Sequence, residues 1–208
     1  MIRNFLAALV LVPALLTAQT STGVKGAATD EAAVLWKIDP SHSQLTFSIR
    51  HLVSRVRGQF GIWGGTIIAN PANWSSASVD VTADVATIDT NNERRDADLR
   101  GADHFDATGN PKITFRSNRI TRFAGDSLTA AGDLTIRGVT KPVVFRGKFN
   151  GIMGSLGKRR AGFQAATVIN RKDFNMVWNR MVEGGNLLGD EVTIELDVAA
   201  VEQPPASQ

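Results

Sequence analysis

Histidine is the residue type in this chain best suited to bind a metal ion or transfer a proton near neutral pH. The chain has three: His42, His51 and His104. His42 and His51 belong to one segment with an extended pattern, and their odd spacing puts them on opposite faces of a regular strand, roughly 30 Å apart. They could share a metal ion only if that strand bent sharply. We therefore predict no metal site, and we interpret His51 as a hydrogen-bonded polar residue near a pocket mouth.

Asp39, His42 and Ser43 are the residue types of a hydrolase triad, but they stand side by side at the start of a strand. Such close spacing does not easily give the relay geometry, and the chain lacks a G-x-S-x-G elbow. The segment is more typical of a turn in which Pro40 fixes φ. The acidic residues of 93–106 lack the spacing of a calcium loop. We predict a protein that is not an enzyme and needs no cofactor.

The charges are too evenly mixed for a nucleic-acid binder, which would show a denser basic stripe. The formal net charge is +3, and the notable basic pairs are Arg159–Arg160 and Arg171–Lys172. We interpret both pairs as solvated turns. The chain contains no cysteine, so it forms no disulfide and has no thiol chemistry.

The first residues are typical of a secretory signal, because Arg3 precedes an apolar run from Phe5 to Leu16 that is too short to span a bilayer. We expect a periplasmic or secreted protein with no stable membrane insertion of the mature chain. The predicted organisation is a signal peptide at 1–18, a flexible lead-in at 19–34, a β-barrel domain at 35–201 and a disordered tail at 202–208.

Within the predicted domain, apolar and polar residues alternate, as Val192, Ile194 and Leu196 do with Thr193 and Glu195. Alternation with a period of two is typical of strands with one buried face. Gly, Pro and Asn separate the runs, and short connections favour antiparallel pairing. Closure removes the two edges and the exposed apolar face of an open sheet, so the sequence predicts an all-β fold, an antiparallel β-barrel. About eight strands are predicted, at 36–50, 56–69, 76–87, 112–122, 127–137, 142–150, 160–170 and 190–200.

Two segments break the alternation. Residues 90–105 are charged, and Thr90 or Asn91 could cap a short helix there. We predict a helical excursion over a barrel mouth. Residues 171–189 form a predicted long loop with many apolar side chains, including Phe174 and Trp178. Such a loop is either functional or a plug for the barrel end, and the pattern favours neither.

The interior of an eight-stranded barrel can be filled by side chains or can hold one small ligand. Several predicted inward positions carry small residues, among them Ala83, Ala130, Ala161, Ala165 and Gly132. Small residues leave volume for a slender hydrocarbon, but they also suit the taper of a solid barrel. Periodicity alone leaves both interpretations open.

A set of ordered motifs resembles the YceI-like family, and together they cover about residues 36–200. The family's opening signature is matched by Trp36–Ser43 and Phe47–His51, and the later motifs are Val56–Phe60, Arg94–Asp106, Pro111–Phe115, Gly132–Pro142, Asn170–Phe174 and Asp190–Ile194. The chain departs from the family pattern at Asp98, where relatives commonly have His, and at His104, where they have an aromatic residue. If these positions line the pocket mouth, the preference for a head group differs here.

The resemblance implies a lipocalin-like barrel with an elongated cavity for polyisoprenoid-type chains, and so favours the hollow interior. The expected head-group residues are His51, Arg95, Asp98 and His104. The expected pocket lining is Leu45, Phe47, Ile49, His51, Val81, Val85, Phe115, Leu134, Ile136, Phe145, Phe163, Phe174, Trp178 and Ile194.

These expectations lead to one main functional hypothesis and two rivals. The main hypothesis is an exported carrier or storage protein whose partner is an amphiphilic lipid: an isoprenoid quinone, a polyprenyl or a fatty chain. The first rival is a lipid-processing or metal-dependent enzyme. The second is a stress-related interaction protein with an incidental pocket. A homodimer is compatible with all three.

Overall fold

A computed structural model describes residues 32–122, 125–155, 158–182 and 185–204. The predicted signal peptide, residues 19–31 of the predicted lead-in and residues 205–208 of the predicted tail lie outside these residues. The described chain is mostly strand, with one α-helix. In chain order the elements are β1 (Val34–Ile38), β2 (Gln44–His51), β3 (Ser54–Phe60), β4 (Trp63–Asn70), β5 (Asn73–Asp84), β6 (Ile88–Asp89), α1 (Glu93–Arg100), β7 (Lys112–Arg122), β8 (Ser127–Ile136), β9 (Val139–Met153), β10 (Arg160–Asn170), β11 (Met181–Val182), β12 (Gly185–Asn186) and β13 (Leu188–Glu202).

Eight antiparallel strands close into a barrel, as the sequence predicts. The ring runs β1-β4-β5-β7-β8-β9-β10-β13 and returns to β1, where Trp36 to Ile38 pair with Glu202 to Ala200. Towards the other end, β13 pairs instead with β2, and the sheet continues through β3 to β6. The last strand reaches Glu202, two residues past its predicted limit.

Two predicted strands are each divided into two and a third ends early, which the alternation pattern does not reveal. Segment 36–50 breaks at a 3-10 turn, Pro40–His42, because the Asp39 side chain accepts a hydrogen bond from the Ser41 backbone N–H. Segment 56–69 turns a corner between β3 and β4. Segment 76–87 ends in a second 3-10 turn, Val85–Thr87, where the side chain of Asp84 caps Ala86. Each bend lets one run of chain follow the curved wall of the barrel.

The helical excursion and the long loop both lie at one end of the barrel. Helix α1 begins after Asn92, whose side chain accepts a hydrogen bond from the Arg95 backbone N–H. The cap is therefore one residue beyond the two candidates named from sequence. The described residues of the long loop, 171–182 and 185–187, contain a 3-10 turn, Arg171–Phe174, and the paired residues of β11 and β12. These two segments, with the hairpin turns at 52–53 and 137–138, surround the mouth of the barrel.

Two arginines hold the segments of the mouth in place. Arg137 lies in a two-residue turn with φ of +50° and donates hydrogen bonds to the carbonyls of Ala102 and Asn175, which belong to the two different segments. Arg171 is buried and donates to the carbonyls of Met176, Trp178 and Gly189. The prediction of a solvated turn is therefore wrong for Arg171, although Lys172 in the same turn is exposed.

The prediction of a solvated turn at Arg159–Arg160 is also wrong. The Arg159 guanidinium lies 2.7 Å from the buried carboxylate of Glu202, and its carbon Cζ lies 5.6 Å from the ring centre of Trp36. Arg160 pairs with Asp39 at 2.8 Å. Both arginines thus join the end of one strand to another instead of facing water alone.

An aromatic cluster fills the opposite end of the barrel. Trp74 lies 5.2 Å from both Phe149 and Phe163 and 5.7 Å from Trp36, measured between ring centres. Trp36 is fully buried, and Ala161 and Ala200 pack beside it. Contacts between rings add to the free energy gained by burying them. Trp36 and Trp74 are both buried, so these rings close this end of the barrel, which we call the aromatic floor.

The wall between β9 and β10 is only partly zipped. Their pairing runs from Met153 opposite Arg160 to Arg146 opposite Ala166 and ends there among the described residues. Beyond that point an outer cleft of about 290 Å³ separates the two strands, and Phe174 of the 3-10 turn lines it. Phe174 is buried in this seam and packs in the same cluster as Ile169.

A substitution at Gly147 tests whether β9 and β10 must lie close together in their paired region. A Cβ atom there would lie 1.8 Å from the Gln164 carbonyl oxygen, which is backbone and cannot rotate away. We expect Gly147→Ala to lower the free energy of unfolding by at least about 2 kcal/mol, measured by urea denaturation. Gly64→Ala is the control, because a Cβ there meets nothing within 4 Å. Equal stability of the two variants would contradict this account.

Candidate binding cavity

The barrel encloses a cavity of about 260 Å³. A single buried water needs roughly 10–15 Å³ on a comparable measure, so this space is far larger than a packing defect. It extends from Trp74 and Phe149 of the aromatic floor to His51, Arg95 and His104 at the mouth. The interior of the barrel is therefore hollow, which periodicity alone could not decide.

The cavity is long because successive inward residues of one strand follow it. Val192, Ile194, Leu196 and Val198 of β13 all line it. Six residues of strand rise span about 20 Å. With the usual strand tilt of roughly 35–45°, this stretch covers about 15 Å of the barrel axis. The shape suits a chain-like guest better than a compact one.

Small inward residues account for the open space, although not all of those named from sequence. Ala83, Ala130 and Ala165 line the cavity. Ala161 instead packs in the aromatic floor. Gly132 is required for another reason, since a Cβ there would lie 2.3 Å from the Arg116 carbonyl oxygen of the neighbouring strand. That glycine allows the close approach of β7 and β8.

Most of the predicted lining residues do face the cavity, and they come from strands all round the barrel. These are Leu45, Phe47, Ile49, His51, Val81, Phe115, Leu134, Ile136, Phe145, Phe163 and Ile194.

Three predicted lining residues lie elsewhere. Val85 is buried in the second 3-10 turn, where its backbone N–H bonds the Pro111 carbonyl. Phe174 packs in the seam between β9 and β10. Ile169, in the same cluster, lines the cavity, whereas Phe174 does not. Trp178 packs its ring against His104, with centres 5.0 Å apart. Each of them follows the end of a regular strand, where alternation no longer predicts which side a residue faces.

His104 is the buried polar group at the mouth. Its Nε2 lies 3.5 Å from a carboxylate oxygen of Asp98. Burial lowers the pKa of His104 below its ordinary value of 6.5; Asp98 and Asp103 oppose the shift and Arg171 adds to it. The imidazole is therefore neutral at pH 7. Asp98 itself is largely exposed and does not line the cavity.

A small polar network fixes Arg95 at the cavity wall. Arg95 donates from Nε to the Thr90 hydroxyl and from Nη2 to the Thr90 carbonyl, both at 2.7 Å. The buried Asp96 carboxylate accepts from the Thr90 backbone N–H at 2.9 Å and from its hydroxyl at 2.5 Å. Thr90 and Asp96 were not among the predicted site residues, although both stand in the charged excursion.

Arg171 also lines the cavity, and sequence reasoning missed it. Its position could have been predicted from parity: Ala161, Phe163 and Ala165 share the inward face of β10, and steps of two lead on to Ile169 and Arg171. Its guanidinium lies 3.3 Å from Asp190, and burial lowers its pKa while Asp190 partly offsets the shift.

The remaining chemistry-bearing residues stay apart from the cavity. His42 lies outside, 2.9 Å from Asp39, and side-chain hydrogen bonds from Arg160 and then from His42 lower the pKa of Asp39 to about 2. Ser43 is held by the backbone of Ala199. Within the described ranges, no three His, Asp or Glu side chains are grouped so that they could hold a metal ion. The same residues contain no helix that is long and apolar enough to cross a bilayer.

Comparison with known proteins supports both the fold and the ancestry. The protein YceI of Shigella flexneri is 39% identical over 145 residues, which cover 68% of this chain and 75% of that protein. The crystal structure of the Campylobacter jejuni YceI protein superimposes with a TM-score of 0.65 at 30% identity, over 75% of this chain and 91% of that one.

A polyisoprenoid-binding domain from Saccharophagus degradans, implicated in plant cell wall breakdown, has the same fold. Its TM-score is 0.61 at 14% identity, over 82% of this chain and 99% of that one. The YceI-like domain itself matches residues 36–200. That range covers the barrel except for two residues at each end of the ring, together with its mouth and its aromatic floor, and the chain belongs to the YceI-like family.

Proposed function

We propose that this protein binds the long apolar chain of an isoprenoid or other lipid inside its barrel, and that it carries or stores this ligand without catalysing a reaction. The observation that carries the proposal is the continuous apolar cavity from the aromatic floor to the mouth. Each methylene group transferred from water into such a space contributes about 0.8 kcal/mol. Chain burial alone would therefore supply useful affinity.

The two ends of the cavity give the ligand a direction. The floor around Trp74 is closed by rings, whereas the polar lining side chains His51, Arg95 and His104 stand at the mouth. The tail of an amphiphilic lipid would point to the floor and its head would remain among these polar groups. Asp98 would act on the head group through His104, since it lies outside the cavity.

The comparisons support this proposal at the level of the fold. The Saccharophagus degradans domain is a polyisoprenoid-binding domain built on the same barrel. At 14% identity its ligand does not transfer to this chain by sequence. What supports a similar ligand here is that this chain's own inward residues leave an apolar cavity.

We also propose that the protein is exported, so that the carrier works in the periplasm or outside the cell. The basis is residues 1–18, whose charge and apolar run are typical of a signal peptide. N-terminal sequencing of the protein recovered from a periplasmic extract tests this directly. Homodimer formation stays a prediction that the mass of the purified protein in solution would decide.

Filling the cavity tests the lipid proposal. Ala130 is buried on the cavity side of β8. We expect Ala130→Trp to displace about two methylenes of ligand, at about 0.8 kcal/mol each, and so to weaken binding more than tenfold. The measurement is organic extraction and mass spectrometry of the purified protein, followed by titration with a fluorescent fatty acid.

The matched control for this variant is Ala131→Trp, one residue further along β8. Ala131 does not line the cavity, and its register partner Val144 is exposed on the outer face. This variant should keep its ligand. A protein that purifies without lipid and ignores the fatty acid, or equal binding by the two variants, would end the lipid-carrier proposal.

The neutral state of His104 predicts how acid affects the protein. Its pKa is lowered in the folded state, mainly by burial, whereas the unfolded chain takes up a proton near the ordinary value of 6.5. As the pH falls below about 6.5, the unfolded state binds more protons than the folded state. The contribution of neutral His104 to the free energy of unfolding is therefore full above that pH and is lost as the pH decreases. We expect His104→Gln to lose less unfolding free energy than the unmodified protein between neutral pH and about pH 5. Urea denaturation across that range measures this, and parallel losses would contradict it.

A further inference from the structure

The hairpin turn between β2 and β3 displays two large apolar residues at the edge of the mouth. Leu52 is 41% exposed and Val53 is fully exposed. Leu52 also adopts a φ of +53°, a left-handed conformation that a branched side chain disfavours. Two-residue hairpin turns favour Asn-Gly or similar pairs. Neither residue lines the cavity or belongs to a core cluster, so burial inside the barrel does not explain the choice of these residues.

Arginines flank this apolar tip on the outer face of the same hairpin. Arg50 and Arg55 are directly opposite each other across β2 and β3, and both are exposed. Like charges placed directly opposite on neighbouring strands are destabilising. Among the ion pairs of the described residues, none joins a carboxylate to Arg50, Arg55 or the next outward residue, Arg57.

The neighbouring segment of the mouth continues this surface. The Leu52 backbone N–H bonds the Leu187 carbonyl at 2.9 Å, and the Leu187 N–H bonds the Arg180 carbonyl at 2.9 Å. Arg180 is exposed, and the next residue, Met181, is 74% exposed. We call Arg50, Leu52, Val53, Arg55 and Met181 together the basic rim.

Within the described ranges, the acidic side chains form no ion pair with the arginines of the basic rim. Asp190, at the start of β13, pairs with Lys172 at 2.8 Å and Arg171 at 3.3 Å. Asp98 and Glu93 are exposed on the α1 side. Where the structure describes the mouth, one side therefore combines exposed apolar groups with arginines that face each other.

We propose that the basic rim docks the mouth of the barrel onto a bilayer surface that contains anionic phospholipid. Phosphate groups would relieve the repulsion between Arg50 and Arg55, and Leu52 and Val53 would enter the acyl boundary just below. A bilayer offers both environments at neighbouring depths, and the rim lies where the cavity opens. The purpose of docking rests on the proposed lipid-carrier function, because docking places the cavity where a lipid is exchanged.

The absence of cysteine from the chain allows a site-specific test. Val53→Cys, labelled with an environment-sensitive nitrobenzoxadiazole dye, reports whether the tip enters a bilayer. Met153→Cys, labelled in the same way, is the control, because Met153 is 80% exposed at the floor end. With vesicles of phosphatidylcholine and phosphatidylglycerol in equal parts, we expect a blue shift and brighter emission at position 53 and none at position 153.

Charge dependence is tested in the same labelled protein. Removing both rim arginines in Arg50→Ser/Arg55→Ser should weaken vesicle binding about fivefold for each arginine. The matched control is Arg119→Ser/Lys148→Ser, which removes the same charge from exposed positions towards the floor and should leave binding unchanged. Equal signals at positions 53 and 153, equal binding to pure phosphatidylcholine vesicles, or equal weakening by the two double variants would each overturn the proposal.

Failure of docking and failure of the cavity proposal are distinguishable. A protein that retains extracted lipid but shows no position-53 signal overturns docking alone. A protein that docks through position 53 but neither retains lipid nor binds the fatty acid overturns the carrier function and leaves the docking surface supported.

Discussion

Closure of the ring is the constraint on which the rest of this structure depends. Once eight antiparallel strands close, every second residue of every strand must face one shared interior. The character of that interior is then set by side-chain size at a few positions, because the strand number fixes the diameter. Alanines such as Ala83, Ala130 and Ala165 leave the middle open, while Trp74 and Phe149 fill the floor. One architecture thus gives a closed end and a hollow length.

Alternation predicts the strands and their inward faces because burial on one side is a local property of the sequence. It does not predict the bends at Pro40–His42 and Val85–Thr87. A 3-10 turn there changes whether odd-numbered or even-numbered residues face inward, and the alternation before and after the turn looks the same. Eleven expected lining positions face the cavity for the first reason. Val85, Phe174 and Trp178 do not, because each lies after a strand has ended and tertiary contacts decide its direction.

The basic pairs show that residue type alone can mislead. The alternation of inward and outward residues along β10 places Arg171 correctly inside the barrel. Two adjacent basic residues look like a surface turn, yet Arg171 is buried and the side chain of Arg159 is only 14% exposed, beside the buried Glu202. Such burial is tolerated because carbonyl and carboxylate groups replace water around the guanidinium. No local signal specifies those acceptors, which come from residues such as Gly189 and Glu202 far along the chain.

The same hydrogen bonds decide which polar groups of the mouth are available to a ligand. Arg171 donates to three backbone carbonyls and to Asp190, so its guanidinium is committed to holding the 171–187 segment. Arg95 donates hydrogen bonds from Nε and Nη2 to Thr90. Among the described residues, the polar contact of the His104 imidazole is the long one to Asp98. The imidazole is neutral at pH 7, so it can donate or accept without the cost of burying a charge. For the ligand proposed above, a neutral oxygen-bearing head group would fit this mouth better than a cationic one, which would face the half-buried Arg95 and the buried Arg171.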